Sequence, residues 1–287
     1  SLTRRSARGS YLRFLLLNHL YAFNARYCLY DSCNMLQAHP FYLRRPSLCY
    51  IHGVEVWNDA KPRWIQACHK ADMLVANSAY TREKADAFHN GLGRARVCWL
   101  GTETDDDPEK GPPIAERAPS ALIVGRIDAD EEYKGHRELI TCWPEVLKAV
   151  PDAVLRIVGK GSGLESLKKL VVDMGLENHV VFHGFVPDEQ LDELYRTVSV
   201  FAMPSRGEGF GLVYIDAMRH GLPVVASVHD AAKEIVQDGV TGYTVDLDHS
   251  DELPQRLIHL LSESARCSEL GENGRQRWCD HFTYSRF

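Results

Sequence analysis

The sequence predicts an α/β protein built from two doubly wound parallel-sheet domains. From residue 120 onward, short Val/Ile-rich runs alternate with amphipathic stretches of helical period. The first hundred residues show a shorter version of the same alternation. A connector rich in acids and prolines, "TETDDDPEKGPPIAERAP", separates the two parts. Parallel strands joined by helices form a sheet covered on both faces, with ligands at the carboxyl ends of the strands.

The elements follow in order along the chain. The strand-like runs of the first part are "RYCLYDS", "SLCYIHG", "DMLVANS" and "ARVCWLG", with "TREKADAFHN" as a helix. Those of the second part are "SALIVGRI", "AVLRIVGKG", "HVVFHGF", "SVFAMPS" and "LPVVASV", separated by amphipathic helices. These runs predict a first domain at 1–104, a linker at 105–119, a second domain at 120–273, and a C-terminal helix at 274–287 that crosses back to the first domain.

The composition is that of an ordinary globular protein. Of the 287 residues, 45% are hydrophobic and 25% are charged, and no uninterrupted apolar run reaches 18 residues. Eight cysteines occur without a CxxC pair, which favours free thiols in a reducing compartment. We therefore expect a cytoplasmic protein.

The charge is distributed unevenly. Residues 1–50 hold seven arginines and one acid, which gives this segment a net charge of +6. The whole chain has a net charge of −6, so the remaining residues have a net charge of −12. The segment "YLRFLLLNHLYAF" could touch anionic lipid or a phosphate-bearing acceptor, which leaves open a peripheral contact at the inner face of a membrane. A helix with a buried Leu/Phe face and a solvated Arg face is the favoured alternative. Nucleic-acid binding is disfavoured, because no recognised module is present and the rest of the chain is acidic.

The stretch "EGFGL", beginning at Glu208, is a candidate phosphate cradle. Glycines before a helix let a ligand approach the backbone, and the free N–H groups of the first turn favour an anion. Two cations follow strand-like runs elsewhere: Arg126 in "VGRID" and Lys134 in "EEYKGH". Together with the helix they would suit a diphosphate, although each cation taken alone is more simply a solvated surface charge.

Two acids flank this cradle. Asp216 falls about one turn into the helix that begins near Gly211, where a carboxylate can accept hydrogen bonds from a ribose diol. Glu208 precedes the helix and can reach the far side of the phosphates, where a sugar would lie. The structural alternative for both acids is capping of the helix N-terminus.

Taken together, these motifs resemble those of the retaining glycosyltransferases of family 4, which have the GT-B fold. The family signature of two acids separated by seven residues resembles Glu208 through Asp216 here. The "GRID…YKG" pair resembles the Arg and Lys of the family that hold the donor diphosphate. The runs "LRIVGKGSG", "VVFHGFVPDEQLDELY", "GLPVVAS", "KEIVQDGVTGY" and "SELGENGRQRW" follow the family order over roughly residues 70–287.

The resemblance implies a fold and a set of roles. It implies two Rossmann-like domains that face each other across a cleft, and a first acid, Glu208, that contacts the donor sugar while Asp216 holds the ribose. Arg126 and Lys134 would stabilise the departing diphosphate, and His52 in "CYIHGVEVW" would lie near the reacting carbon. The implied donor-binding residues are Arg126, Lys134, Val186, Glu208, Gly209, Phe210, Gly211, Leu212 and Asp216.

The sequence departs from the family pattern in three places. The second acid is usually glutamate, so Asp216 changes the reach to the ribose. In "HDAAKEIV", Ala231 and Ala232 replace common glycines and cannot adopt positive φ cheaply, so the loop before Glu234, itself a candidate site residue, would differ. The first domain also lacks the usual opening strand and glycine-rich loop. An incomplete sheet exposes backbone, so we expect a fragment, a homo-oligomer, a completing subunit or a rebuilt acceptor site.

The function that follows is transfer of a sugar from a nucleotide-diphosphate sugar to a hydroxyl acceptor, with retention of configuration. The acceptor could be a glycan, a lipid-linked group or a small molecule. No cofactor or metal is expected, because protein cations can neutralise the diphosphate, and "DLD" at 246–248 and "DDD" at 105–107 read as solvated acids. The alternative is a catalytically impaired nucleotide-sugar-binding subunit that needs a partner chain. A sugar phosphorylase would need pyridoxal phosphate, for which the sequence offers no cue.

Overall fold

The chain divides into two compact units, Ser1–Trp99 and Leu100–Phe287. The structure, a computed structural model, describes residues 11–58, 60–109, 111–130 and 132–287. The start of the basic segment and Lys110 therefore lie outside the described residues.

The first unit is a four-stranded parallel sheet with helices between its strands. Its strands are β1 (Cys28–Tyr30), β2 (Ser47–Ile51), β3 (Met73–Ala76) and β4 (Arg96–Val97), in the order β1-β2-β3-β4. Its helices are α1 (Tyr11–Asn24), α2 (Cys33–Leu36), α3 (Pro62–Lys70) and α4 (Ala79–Phe88). The core lies between β2, β3 and the helices α2 and α3, and includes Leu36, Ile51 and Leu74.

Local chemistry explains where the helices of this unit begin. Pro62 occupies the first turn of α3, where its missing N–H costs nothing, and His69 and Lys70 complement the dipole in the last turn. The Ser78 hydroxyl accepts the Thr81 N–H at 2.9 Å and caps α4. Ser78, expected at a strand end, thus serves as a helix cap.

Helix α1 differs from the favoured expectation of a buried Leu/Phe face. Leu16, Leu20 and Phe23 are each at least 60% exposed and form one stripe along the helix. The helix is anchored instead by Asn18, whose amide donates to the Ala38 carbonyl at 2.6 Å and accepts the Tyr30 hydroxyl at 3.0 Å. The polar contact positions α1 while leaving an apolar stripe in solvent.

The second unit is a six-stranded parallel sheet. Its strands are β5 (Ser120–Val124), β6 (Val154–Val158), β7 (Val180–Gly184), β8 (Val200–Ala202), β9 (Val224–Ser227) and β10 (Gly242–Val245). Its helices are α5 (His136–Ala149), α6 (Leu164–Asp173), α7 (Asp188–Thr197), α8 (Leu212–Arg219), α9 (Ala232–Ile235), α10 (Glu252–Ser262) and α11 (Ser264–His281). The strand order is β10-β9-β8-β5-β6-β7. The predicted α/β class with two parallel sheets is confirmed.

The strand order creates a switch point. The chain moves outward from β5 through β6 to β7, returns to β8 on the other side of β5, and continues to β10. The connections that follow β5 and β8 therefore run to opposite sides of the sheet. This leaves a crevice at the carboxyl ends of these two strands, where such sheets bind ligands. The strand β10 was not among the strands predicted from sequence, because glycine and threonine weaken its pattern.

The segment predicted as a linker is held against the second unit. Arg275 on α11 forms a bidentate ion pair with Asp107, and Arg117 donates to the Val198 carbonyl at 2.6 Å. The predicted 274–287 segment forms the end of α11 and a following single turn, Tyr284–Arg286. The crossing of this helix to the first domain stays a prediction.

All eight cysteines are free thiols, as expected. Among the helices that the structure describes, none combines the length and the apolar character needed to span a bilayer.

Candidate functional site

A buried ion pair lies at the switch point. Lys134, in a short turn after β5, places its Nζ 2.5 Å from Oε1 of Glu208, in the loop after β8. The two side chains are only 11% and 16% exposed. The pairing brings together two residues that are 74 positions apart, and both were predicted as site residues.

Gly135 makes this approach possible. Its φ is +88°, and a Cβ at this position would lie 2.5 Å from the Pro204 carbonyl oxygen. Any side chain here would push the Lys134 turn away from the loop after β8. The glycine of the "YKG" motif therefore sets the distance between Lys134 and Glu208.

Two helices begin at the same crevice. Gly135 precedes α5, and Gly211, with φ +89°, precedes α8. The first turns of both helices carry backbone N–H groups without helical partners, and their dipoles add positive potential. Arg126 lies two residues after β5 and is exposed. The crevice therefore presents the Lys134 ammonium and two helix N-termini beside the Glu208 carboxylate, which suits an anionic group.

Asp230 holds the backbone of Glu208 in place. One oxygen of this fully buried carboxylate accepts the Glu208 N–H at 2.9 Å, and the other accepts the Ala232 N–H at 2.9 Å. Burial raises the pKa of Asp230 to about 6, although these two hydrogen bonds oppose the shift. Asp230 was not predicted as a site residue, because it follows Glu208 by 22 residues and only tertiary contact joins the two.

The loop after β9 accommodates its alanines without strain. Ala231 has φ −68° and donates its N–H to the Glu208 carbonyl at 3.2 Å, and Ala232 begins α9. The loop thus uses ordinary right-handed backbone, as alanine requires. Glu234 lies on α9 and is half-buried.

Asp216 faces a cavity of about 420 Å³ between α7, α8 and residues 101–104. Burial raises the pKa of this carboxyl to about 6, with Arg219 partly opposing the shift. Further lining residues are Glu103, Asp188, Leu191, Asp192, Tyr195, Leu212 and His220. The buried Tyr195 hydroxyl has no hydrogen-bond partner among the described residues. The carboxylates that line this cavity suit a polar ligand.

The other residues that were predicted to bind the sugar donor lie in different surroundings. Leu212 is exposed and lines the same cavity as Asp216, and Val186 is half-buried in the connection from β7 to α7. Phe210 is 2% exposed and packs its ring edge-on against Phe282, so its side chain is not accessible to a ligand. Phe210 thus anchors the loop, while Gly209 is half-buried and Gly211 is buried against Tyr214.

His136 was also missed. It opens α5 next to Lys134 and is 4% exposed. Burial, with a smaller contribution from Lys134, lowers its pKa to about 4, so the imidazole is neutral at pH 7. Its Nε2 has no hydrogen-bond partner among the described residues. Its position directly after the "YKG" glycine was the only available signal.

In the first unit, His52 follows β2 and lies at the surface. Its Nε2 donates to the Asp31 carbonyl at 2.7 Å, and its ring stacks on Tyr50 at 6.0 Å. Its own carbonyl accepts from the Asn77 amide at 2.8 Å. The contacts with the Asp31 carbonyl and carboxylate hold the ring in place through a protonated Nε2.

Comparison with known proteins identifies the family. The model of the family "Glycosyl transferases group 1" matches residues 105–277. The chain belongs to this family, and its fold is that of the GT-B glycosyltransferases. The resemblance inferred from the motifs is thereby confirmed.

Individual relatives support the same assignment. The chain is 34% identical over 230 residues to a GDP-mannose-dependent alpha-(1-6)-phosphatidylinositol monomannoside mannosyltransferase of Mycolicibacterium smegmatis, covering 75% of this chain and 59% of that protein. It is 29% identical over 199 residues to a poly(glycerol-phosphate) alpha-glucosyltransferase of Bacillus subtilis, covering 67% and 28%. The chain thus spans little more than half of the mycobacterial relative.

Solved structures share the fold at low identity. HepE of Anabaena, in complex with UDP and glucose, superposes with a TM-score of 0.81 at 20% identity, covering 94% of this chain and 77% of that chain. Sucrose-phosphate synthase of Thermosynechococcus elongatus superposes with a TM-score of 0.81 at 22% identity, covering 99% and 77%.

Proposed function

We propose that this chain transfers a sugar from a nucleotide-diphosphate sugar to a hydroxyl acceptor with retention of configuration. The observation that carries the proposal is the Lys134–Glu208 pair at the switch point, between two helix N-termini. An arriving diphosphate competes with Glu208 for the Lys134 ammonium. Glu208 is then free to accept hydrogen bonds from the donor sugar, as the family resemblance implies.

The departing diphosphate is the group that the crevice stabilises. Negative charge develops on the leaving oxygen as the bond to the sugar breaks. Lys134, Arg126 and the amides before α8 supply positive charge fixed before the reaction, which is worth several kcal/mol (roughly 3–4 for one such donor). The leaving phosphate takes the proton of the acceptor hydroxyl. This chemistry uses protein cations alone, and we propose no metal for it.

We propose guanine as the base. The cavity beside Asp216 is lined by Asp188, Asp192 and Glu103. Guanine presents adjacent N1–H and N2–H₂ donors that a carboxylate can accept together, whereas uracil places a single N–H between two acceptors. The mycobacterial relative is named as GDP-mannose-dependent, which supports the same choice. Asp216 then accepts the ribose hydroxyls.

For the acceptor we propose a hydroxyl on a phosphate-bearing lipid. The name of the mycobacterial relative specifies a phosphatidylinositol mannoside. In this chain, the exposed apolar stripe of α1 lies in the basic first segment, and Tyr27 and Leu29 extend the exposed apolar surface beyond it. Apolar side chains among arginines favour an anionic bilayer surface. Sedimentation with vesicles of anionic or neutral phosphatidyl lipids tests this, and equal retention by both would contradict it.

The central experiment separates diphosphate from nucleoside recognition. Isothermal titration should show that Arg126→Ala lowers the affinity for GDP at least about tenfold. The affinity for guanosine should hardly change. Lys168→Ala, an exposed cation on α6, is the matched control. Equal losses for both ligands would refute the phosphate role of Arg126.

A second measurement separates an enzyme from a binding subunit. A competent enzyme hydrolyses GDP-sugar slowly without acceptor, and Glu208→Gln should abolish this while GDP binding stays near normal. Donor binding without any hydrolysis would support the alternative of an impaired subunit that requires a partner chain.

A further inference from the structure

A buried carboxylate joins the loops that follow β8 and β9. These two strands pair in the sheet, with Phe201 opposite Val224, so the loops at their carboxyl ends are neighbours. Asp230 belongs to the second loop and is fully buried. It accepts the Glu208 N–H at 2.9 Å and the Ala232 N–H at 2.9 Å. One side chain thus combines a local contact with a contact between the two loops.

Two further contacts strengthen this connection. The Ser205 hydroxyl donates to the Asp230 carboxylate and accepts the Gly207 N–H at 3.1 Å. The Ala231 N–H donates to the Glu208 carbonyl at 3.2 Å. The peptide groups on both sides of Glu208 are therefore held by the loop after β9, which restricts the backbone of this residue.

Glu208 is anchored through its side chain as well as through its backbone. Lys134 holds the side chain, with Nζ 2.5 Å from Oε1, whereas Asp230 accepts the backbone N–H. In the function proposed above, the diphosphate takes the Lys134 ammonium and the Glu208 carboxylate turns to the donor sugar. The backbone contacts remain when this side-chain contact is lost. The inference that follows rests on the proposed function, because the diphosphate must displace the ion pair.

We propose that Asp230 is a positioning residue for the transfer, which holds Glu208 in place once the diphosphate has taken Lys134. A misplacement of about 1 Å can cost about 100-fold in rate. A fully buried carboxylate offers no surface to a ligand, so Asp230 acts through Glu208. It therefore affects the rate of the chemical step rather than the affinity for the donor.

The contact requires a carboxylate. Each of the two Asp230 oxygens accepts one backbone N–H, from Glu208 and from Ala232. An amide of the same shape has one acceptor oxygen and an NH₂ group that only donates. Asp230→Asn therefore sets this NH₂ group against one of the two N–H groups, and Asp230→Ala removes both acceptors.

The first test measures donor hydrolysis by the whole chain without acceptor, at pH 8, where Asp230, with its pKa of about 6, is ionised. Asp230→Ala should lower kcat at least about tenfold, whereas KM for GDP-sugar and the affinity for GDP should stay within about twofold. Asp230→Asn keeps the size of the side chain and one acceptor, so its kcat should lie between those of Asp230→Ala and the wild type. It also serves where Asp230→Ala does not fold.

Thr241→Val is the matched control. Thr241 is buried, and its hydroxyl accepts the Gln237 N–H at 2.9 Å, directly before β10 and thus at the opposite edge of the sheet. Like Asp230→Ala, this variant loses a buried acceptor of a backbone N–H. It should lower the stability of the chain but leave kcat unchanged.

Hydrogen exchange tests the same contact without turnover. The Glu208 amide should exchange at least about tenfold faster in Asp230→Ala than in the wild type. The difference should grow when GDP is bound, because GDP competes for the Lys134 ammonium. Thr241→Val should leave the exchange of this amide unchanged.

Three results would overturn the proposal: an unchanged kcat in Asp230→Ala, equal losses of kcat and GDP affinity, or an unchanged exchange of the Glu208 amide. Each would leave Asp230 with a structural role alone. A wild-type chain that neither binds GDP nor hydrolyses GDP-sugar would instead contradict the proposed function, and with it a role of Asp230 in transfer. The exchange measurement would still decide whether Asp230 holds Glu208.

Discussion

The two units differ in how they hold their charged groups. In the second unit, Lys134 and Glu208 are paired and nearly enclosed, and the buried Asp230 fixes the backbone beneath them. In the first unit, His52 and Asp31 pair at the surface, with side chains 34% and 83% exposed. Burial makes a charge depend on its partner, whereas water replaces the partner of an exposed charge. We therefore expect substitutions of the paired charges in the second unit to cost more stability than those in the first.

The same contrast appears in the apolar residues. The six strands of the second unit have helices on both faces, and its aromatic residues Trp143, Tyr195 and Trp278 are buried. The first unit leaves the α1 stripe in solvent. An exposed apolar surface indicates a contact with another surface, whereas an enclosed pocket indicates a small ligand.

The largest effect should come from breaking the enclosed pair. Lys134→Met leaves Glu208 buried without a counter-charge, so the free energy of unfolding should fall by about 3 kcal/mol, and GDP affinity should fall with it. Urea unfolding and GDP titration measure the two effects. Adding Glu208→Gln should recover most of the stability but none of the GDP affinity.

Lys168→Met, which breaks an exposed pair with Glu165 on α6, is the matched control and should cost less than about 0.5 kcal/mol. A double variant as unstable as Lys134→Met alone would show that packing, rather than charge, stabilises this contact.

A smaller effect concerns pH. The pKa of Asp216 is about 6 in the folded protein and 3.8 ordinarily. Between these values the folded state binds more protons than the unfolded state, so the free energy of unfolding falls as pH rises from about 4 to 6. Asp216 alone should lower the free energy of unfolding by roughly 3 kcal/mol over this pH range.

Asp230 also has a pKa of about 6, so it further lowers the free energy of unfolding as the pH rises from about 4 to 6. The buried His136, whose pKa is lowered to about 4, opposes both acids in this window, so Asp216→Asn should change the difference in unfolding free energy between pH 4 and pH 7 by roughly 3 kcal/mol in favour of pH 7. An unchanged slope would show that Asp216 is well solvated. The same variant should bind GDP and its 2′-deoxy form with equal affinity if Asp216 holds the ribose.

The smallest effect should come from the first unit. His52→Ala removes a partly exposed contact with Asp31, so the cost in stability should stay below about 1 kcal/mol. GDP affinity should not change, whereas transfer to an acceptor should fall. Thermal unfolding and titration check these two expectations, and a collapse of the fold would assign His52 a structural role.

The sequence by itself determined the fold class, because two periodicities recur along the chain: apolar runs of strand length and amphipathic helices. Each depends only on neighbouring residues. It also singled out Lys134 and Glu208, since glycines beside them mark turns where a backbone can meet a ligand, and Asp216 by its place about one turn into the following helix. The α1 stripe was misassigned because its pattern shows that one face is apolar but does not show what covers that face.

Only the tertiary structure decided which distant residues meet. The Lys134–Glu208 pair depends on β5 lying beside β8, and Asp230 reaches Glu208 because β9 follows next in the sheet. Strand order is set by the packing of the whole sheet, and no local stretch of sequence encodes it.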